Sequence, residues 1–89
     1  MVIKEQEVIF MALGVTATSA NLRKEPKLSA ALAATPTLYK GDKVTQLGYD
    51  NTSPDGPWHK VQCTYSNPAT PGNRVGAQGW SQYKWYGDV

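Results

Sequence analysis

Eight glycines and six prolines cut this chain into runs too short for a helical core. The best helix-forming stretch, Leu28 to Ala34, is fenced by Pro26 and Pro36 and has room for about two turns at most. Between the breakers stand Val, Thr, Tyr and Trp, whose branched or aromatic side chains suit a pleated surface. The candidate strands are Glu7 to Ala12, Gly14 to Leu22, Lys43 to Gly48, Trp58 to Tyr65 and Val75 to Ser81, with a last short piece at Trp85 and Tyr86. Asp50, Asn51, Ser53, Pro54, Asp55, Gly56 and Pro57 mark one loop, and Asn67, Pro68, Pro71, Gly72 and Asn73 mark a hairpin tip. A third, longer loop runs from Arg23 to Asp42. The expected fold is all-β, a small barrel of five to six short strands with a long first loop and an extended distal hairpin.

With 89 residues there is room for one domain with one compact core, expected at about 15–86, with residues 1–13 as an additional N-terminal strand. A unit of this size commonly works by recognition through an outer groove, so an enzyme is not expected. Nine Lys and Arg against seven Asp and Glu leave a net charge of +2, scattered from Lys4 to Lys84. Nucleic-acid binding needs basic residues clustered well enough to neutralise several phosphates, and Arg23, Lys24 and Lys27, with Glu25 among them, are better explained as a solvated loop.

The single Cys63 and single His59 cannot complete a four-ligand zinc site, so neither a metal nor another cofactor is expected. Four positions apart on one strand, they stand about 13 Å from each other and cannot form a nucleophile and base pair. Asp42, Asp50 and Asp55 lack calcium-loop spacing, and turn chemistry accounts for all three. The apolar stretch Val8 to Val15 is too short to span a bilayer and follows Lys4, Glu5 and Glu7. No export signal stands out. The chain is therefore expected either to stay where it is made or to be one piece of a longer secreted protein.

Taken in order, Asn21-Leu22-Arg23, then Pro26, Lys40-Gly41-Asp42-Lys43-Val44, Trp58-His59-Lys60-Val61 and Gly79-Trp80-Ser81 form a pattern that resembles the bacterial SH3 domain family. The resemblance covers about Val15 to Trp85. It implies an SH3-like barrel and a binding module for a cell-wall component, peptidoglycan, or for a peptide. Glu25 stands where that family usually has Gly, the Arg23 to Gly41 loop is long, Gln46 fills a position expected to be apolar, and the hairpin between Cys63 and Gly79 is extended.

Alternation along Trp58 to Tyr65 puts His59, Val61, Cys63 and Tyr65 on one face, the more apolar one and hence the core. Trp58 and Lys60 then fall on the outer face, where an aromatic beside a groove is a candidate ligand platform. The candidate ligand-binding residues are Trp58, Tyr39, Trp80, Tyr83, Tyr49 and Lys60. Trp80 has even claims to the groove and to a plug in the barrel end; Tyr83, Trp85 and Tyr86 could instead staple the C-terminus down. The other functional expectation is an intracellular adaptor or inhibitor, a phage-encoded one included, that docks on a protein partner. An edge strand suits it, and the stretch Val8 to Leu13 is a candidate for homodimer contact.

Overall fold

The computed structural model describes residues 12–88. They form an all-β fold with strands β1 (Ala12–Val15), β2 (Ser19–Ala20), β3 (Leu38–Tyr39), β4 (Lys43–Asp50), β5 (Trp58–Tyr65), β6 (Gln78–Gln82) and β7 (Tyr86–Asp88), and a 3₁₀ turn at Tyr83–Trp85. Five of the strands make one antiparallel sheet in the order β6-β5-β4-β1-β7, while β2 and β3 pair as a separate ribbon. The expected strand Glu7 to Ala12 lies, apart from its last residue, outside the described residues. Of the stretch Val8 to Leu13, the described part belongs to β1, which is paired on both sides, with β4 and with β7.

Strand β4 bends the sheet. Its pairing with β5 is interrupted between Lys43 and Val44 and again between Gln46 and Gly48. Such bulges increase local twist, and here they let the first half of β4 pair with β1 while the whole of it follows β5. The concave side encloses a core of Leu13, Val15, Ala20, Leu22, Leu38, Val44, Val61, Cys63, Ala77 and Tyr86.

Two expectations need correction, the single strand over Gly14 to Leu22 and the place of Tyr65. The segment Gly14 to Leu22 is two short strands, because Thr16 turns its N–H and its hydroxyl to the carbonyl of Trp85. The segment Leu28 to Ala34 lies, as expected, in the long loop, where Leu28 donates its N–H to Asp55 and Ala33 donates to Leu22. Tyr65, expected in the core, is 44% exposed, since β5 runs past the core there and Lys43 lies over its ring at 5.1 Å.

Closure of the β6 edge depends on Gly79. Arg23 exchanges both main-chain hydrogen bonds with Trp80 at 2.8 Å, and a Cβ on Gly79 would stand 2.7 Å from Leu22 Cβ and 3.2 Å from the Arg23 carbonyl. Overpacking against backbone cannot be relieved by rotating a side chain, so Gly79→Ala should cost about 1–3 kcal/mol. Urea unfolding tests this; a midpoint equal to that of the parent protein would refute it.

Candidate functional site

The six sequence-predicted ligand residues do not share one groove. Trp58 is fully buried, which corrects its expected place on an open platform. Alternation does put it on the face of β5 opposite Val61, but other chain segments cover that face. Opposite it on β6 is Gln82, whose amide donates to the Asp55 carbonyl, and Tyr83 donates its N–H to Pro57. From the other side Leu28 N–H reaches the Asp55 carboxylate at 2.7 Å. Among the described residues the Trp58 indole N–H has no hydrogen-bond partner.

Lys60 and Trp80 are direct neighbours across β5 and β6. Gly79 and Ser81, on either side of Trp80, are buried, so Trp80 itself turns outward and stays half-buried. Its ring extends over Gly48 of β4, with Cη2 3.6 Å from where a Cβ there would sit. Trp80 therefore lies flat on the outside of the sheet and does not plug the barrel.

Tyr39 stands at the opposite end of the molecule from Tyr49. It follows the loop, next to the start of β4, and β4 carries the chain roughly 20 Å further before Tyr49. The guanidinium of Arg74 lies 5.3 Å from the Tyr39 ring centre. Arg74 is otherwise occupied in a buried two-pronged ion pair with Asp42, Nε to Oδ2 at 2.6 Å and Nη2 to Oδ1 at 2.9 Å. Asp42 also accepts the N–H groups of Tyr39 and Asn67. Burial alone would raise the Asp42 carboxyl; the bonds from Arg74, Asn67 and Tyr39 outweigh it and hold the pKa below the usual carboxylate range. The Asp42 and Arg74 side chains thus build this end of the molecule, which leaves Tyr39 and Tyr65 as its exposed aromatics.

Tyr49 and Tyr83 do meet. Their rings pack edge to face with centroids 5.7 Å apart, and Tyr49 is 54% exposed. Behind Tyr83 lies His59, 4.7 Å away, and behind His59 lies Tyr86 at 4.5 Å. The four rings form a row that runs from solvent into the core. His59 is fully buried, its Nδ1 3.3 Å from Gln46 Oε1 and its Nε2 without a partner among the described residues. Burial lowers its pKa to about 4, so the ring is neutral at ordinary pH. The polar Gln46 at an otherwise apolar position is explained by this bond. Tyr86, pushed up to about 12 by burial, donates its hydroxyl to Ser81 Oγ at 3.0 Å and anchors the inner end of the row.

Cys63 is buried, donates its thiol to the Tyr65 carbonyl, and is raised by burial above the usual thiol pKa. Such a thiol is a poor nucleophile. Sequence reasoning missed His59 and Gln46 as the support of the tyrosine pair; in the register Gln46 faces Val61 and His59 faces Tyr49, and their side chains meet on the diagonal between the two strands. No protein-family model, curated protein or solved structure matches this chain.

Proposed function

We propose that this chain is a non-catalytic binding module of the bacterial SH3 type, which recognises peptidoglycan or a peptide through exposed aromatic side chains. The observation that carries the reading is the Tyr49–Tyr83 pair, open to solvent on one side and backed by the buried His59–Tyr86 contact on the other. A rigid, amphipathic aromatic pair loses little conformational freedom on binding and offers both a stacking face and a hydroxyl. Support for the SH3 type comes from the ordered motifs between Asn21 and Ser81, from the sheet order β6-β5-β4-β1-β7, and from the 3₁₀ turn that joins the last two strands.

Tyr49→Ala combined with Tyr83→Ala should weaken co-sedimentation with insoluble peptidoglycan, or binding of a soluble stem peptide, by at least about tenfold, the loss of one hot-spot contact. Unchanged binding by a folded double variant would refute the role of the pair, and no binding of either ligand by the parent protein would refute the function. The adaptor reading has one observation of its own: β7 ends the sheet order, and among the described residues its outer edge has no partner strand. A partner strand added there would leave the tyrosine variant's binding intact.

A further inference from the structure

On the outer face of the sheet, strand register sets two rows of side chains next to each other: Gly48, Lys60 and Trp80 in one, Thr45, Gln62 and Gln78 in the next. Lys60 stands between the other two members of its row. The Trp80 ring nevertheless ends over Gly48, with Cη2 3.6 Å from the place of a Cβ there, so the indole crosses β5 beside the Lys60 stem. Trp80 and Lys60 are both half-buried. A lysine in such a place lays its stem along the apolar surface and keeps its ammonium in water.

In the second row Gln78 donates an amide N–H to Gln62 Oε1 at 3.1 Å, in an exposed contact. Each primary amide carries two N–H donors and a carbonyl oxygen with two lone pairs, so one mutual bond leaves most of the pair's capacity facing solvent. Lys60 is the one charged side chain of the two rows. Asp50 lies in the row on the other side of Trp80, and its carboxylate is already engaged by the Thr52 N–H and hydroxyl at 2.7 and 2.6 Å.

We propose that Trp80, Lys60 and the Gln62–Gln78 pair form a second ligand face, for an acidic saccharide. The C–H bonds of a sugar ring stack on the indole, its hydroxyls bond to the two amides, and its carboxylate meets the Lys60 ammonium. Each requirement answers an observation. An indole lying flat on the sheet takes a flat, apolar ligand surface. Planar amides that both donate and accept suit neighbouring hydroxyls, which also do both. A single cation with no free carboxylate in its two rows suits a ligand whose negative charges are isolated. A nucleic-acid strand is the poorer match, since its affinity comes from several phosphates neutralised at once. Tyr49, the next residue after Gly48, turns to the other side of the sheet, towards Tyr83, so this face stands or falls independently of the tyrosine pair.

NMR titration of the unaltered protein with three probes tests this: a hyaluronan hexasaccharide, which has a carboxylate on every second ring, chitohexaose, its neutral counterpart, and a thymidine hexanucleotide. The hyaluronan fragment should move the Trp80 indole N–H and the Gln62 and Gln78 side-chain amide resonances. It should also bind about three- to fivefold more tightly than chitohexaose, the range of an exposed ion pair, and the hexanucleotide should bind more weakly than either sugar. Lys60→Met, which keeps a stem beside the indole, should remove the preference for the acidic sugar and leave the affinity for chitohexaose as it was. Gln62→Ala combined with Gln78→Ala should weaken both sugars by about tenfold. Neither variant alters a core residue, and urea midpoints check that both fold; if one does not, the parent titrations decide alone. No movement of these resonances with either sugar, equal affinity for the two, tighter binding of the hexanucleotide, or a preference that survives Lys60→Met would overturn the proposal.

Discussion

Arg74→Met should lower the unfolding free energy by about 3–5 kcal/mol, the usual cost of leaving one member of a buried ion pair alone. Both side chains are almost fully buried. Met keeps the length of the stem and removes the charge, so Asp42 would retain only the Tyr39 and Asn67 N–H groups as donors. Losses reach further than the pair. Arg74 also donates to the carbonyls of Asn67, Thr70, Pro71 and Gly72, and the residue 66–74 tip is gathered around it. Asp42→Asn should cost less, because the amide oxygen can still accept a bond. The double variant should cost less than the two single changes added together, since neither partner is then a charge without its counterpart. Urea unfolding of the four proteins supplies the cycle, and a single-variant loss below about 1 kcal/mol would show the pair to be an ordinary surface salt bridge. The pair's contribution also has an acid limit. The Asp42 pKa is lower folded than unfolded, so the stabilisation is complete above the unfolded value, about 3.9, and disappears as pH falls through the folded one.

The extended hairpin tip explains why part of this architecture was legible and part was not. Its prolines, glycines and asparagines identify it as a loop from local chemistry alone. Nothing local to it identifies Asp42, 32 positions earlier, as the partner of Arg74. Strand β5 was legible end to end because Trp58 to Tyr65 is an uninterrupted β-prone run, and alternation placed His59, Val61 and Cys63 inside. The same alternation put Trp58 outside the barrel, which is where its strand directs it. It is nevertheless fully buried, and a period-two pattern carries no information about what the rest of the chain lays over that face. The predicted ligand residues dispersed for a related reason: aromatic content is a property of composition, whereas meeting at one place depends on strand register. Register brings Lys60 to Trp80 and Tyr49 to His59, and it leaves Tyr39 at the far end of β4.

Stability should fall by about 3 kcal/mol at most as pH drops from about 6.5 to about 4, and His59→Phe should abolish that fall. His59 is the one histidine of the chain, and its folded pKa is lowered from 6.5 to about 4 by burial. Below 6.5 the unfolded chain takes up a proton that the folded protein refuses, so each step down in pH favours unfolding until the folded ring also protonates near 4. Above 6.5 both states hold a neutral ring and the dependence vanishes. Phe preserves the aromatic contacts with Tyr83 and Tyr86 and leaves the partly exposed Gln46 to turn to water. Urea midpoints measured from pH 7 to pH 4.5 separate the two proteins, and the imidazole resonance in NMR gives the folded pKa directly; a value near 6.5 would sink the prediction. The binding pair shares this fate. Tyr49 leans on Tyr83 and Tyr83 on His59, so a cation forming at the middle of the row must either unfold the protein or push the rings apart to reach water. Ligand affinity carried by Tyr49 and Tyr83 should accordingly stay level from pH 7 to pH 5 and collapse together with the fold as His59 charges, whereas affinity that faded between pH 7 and pH 6 would mean that a different group makes the contact.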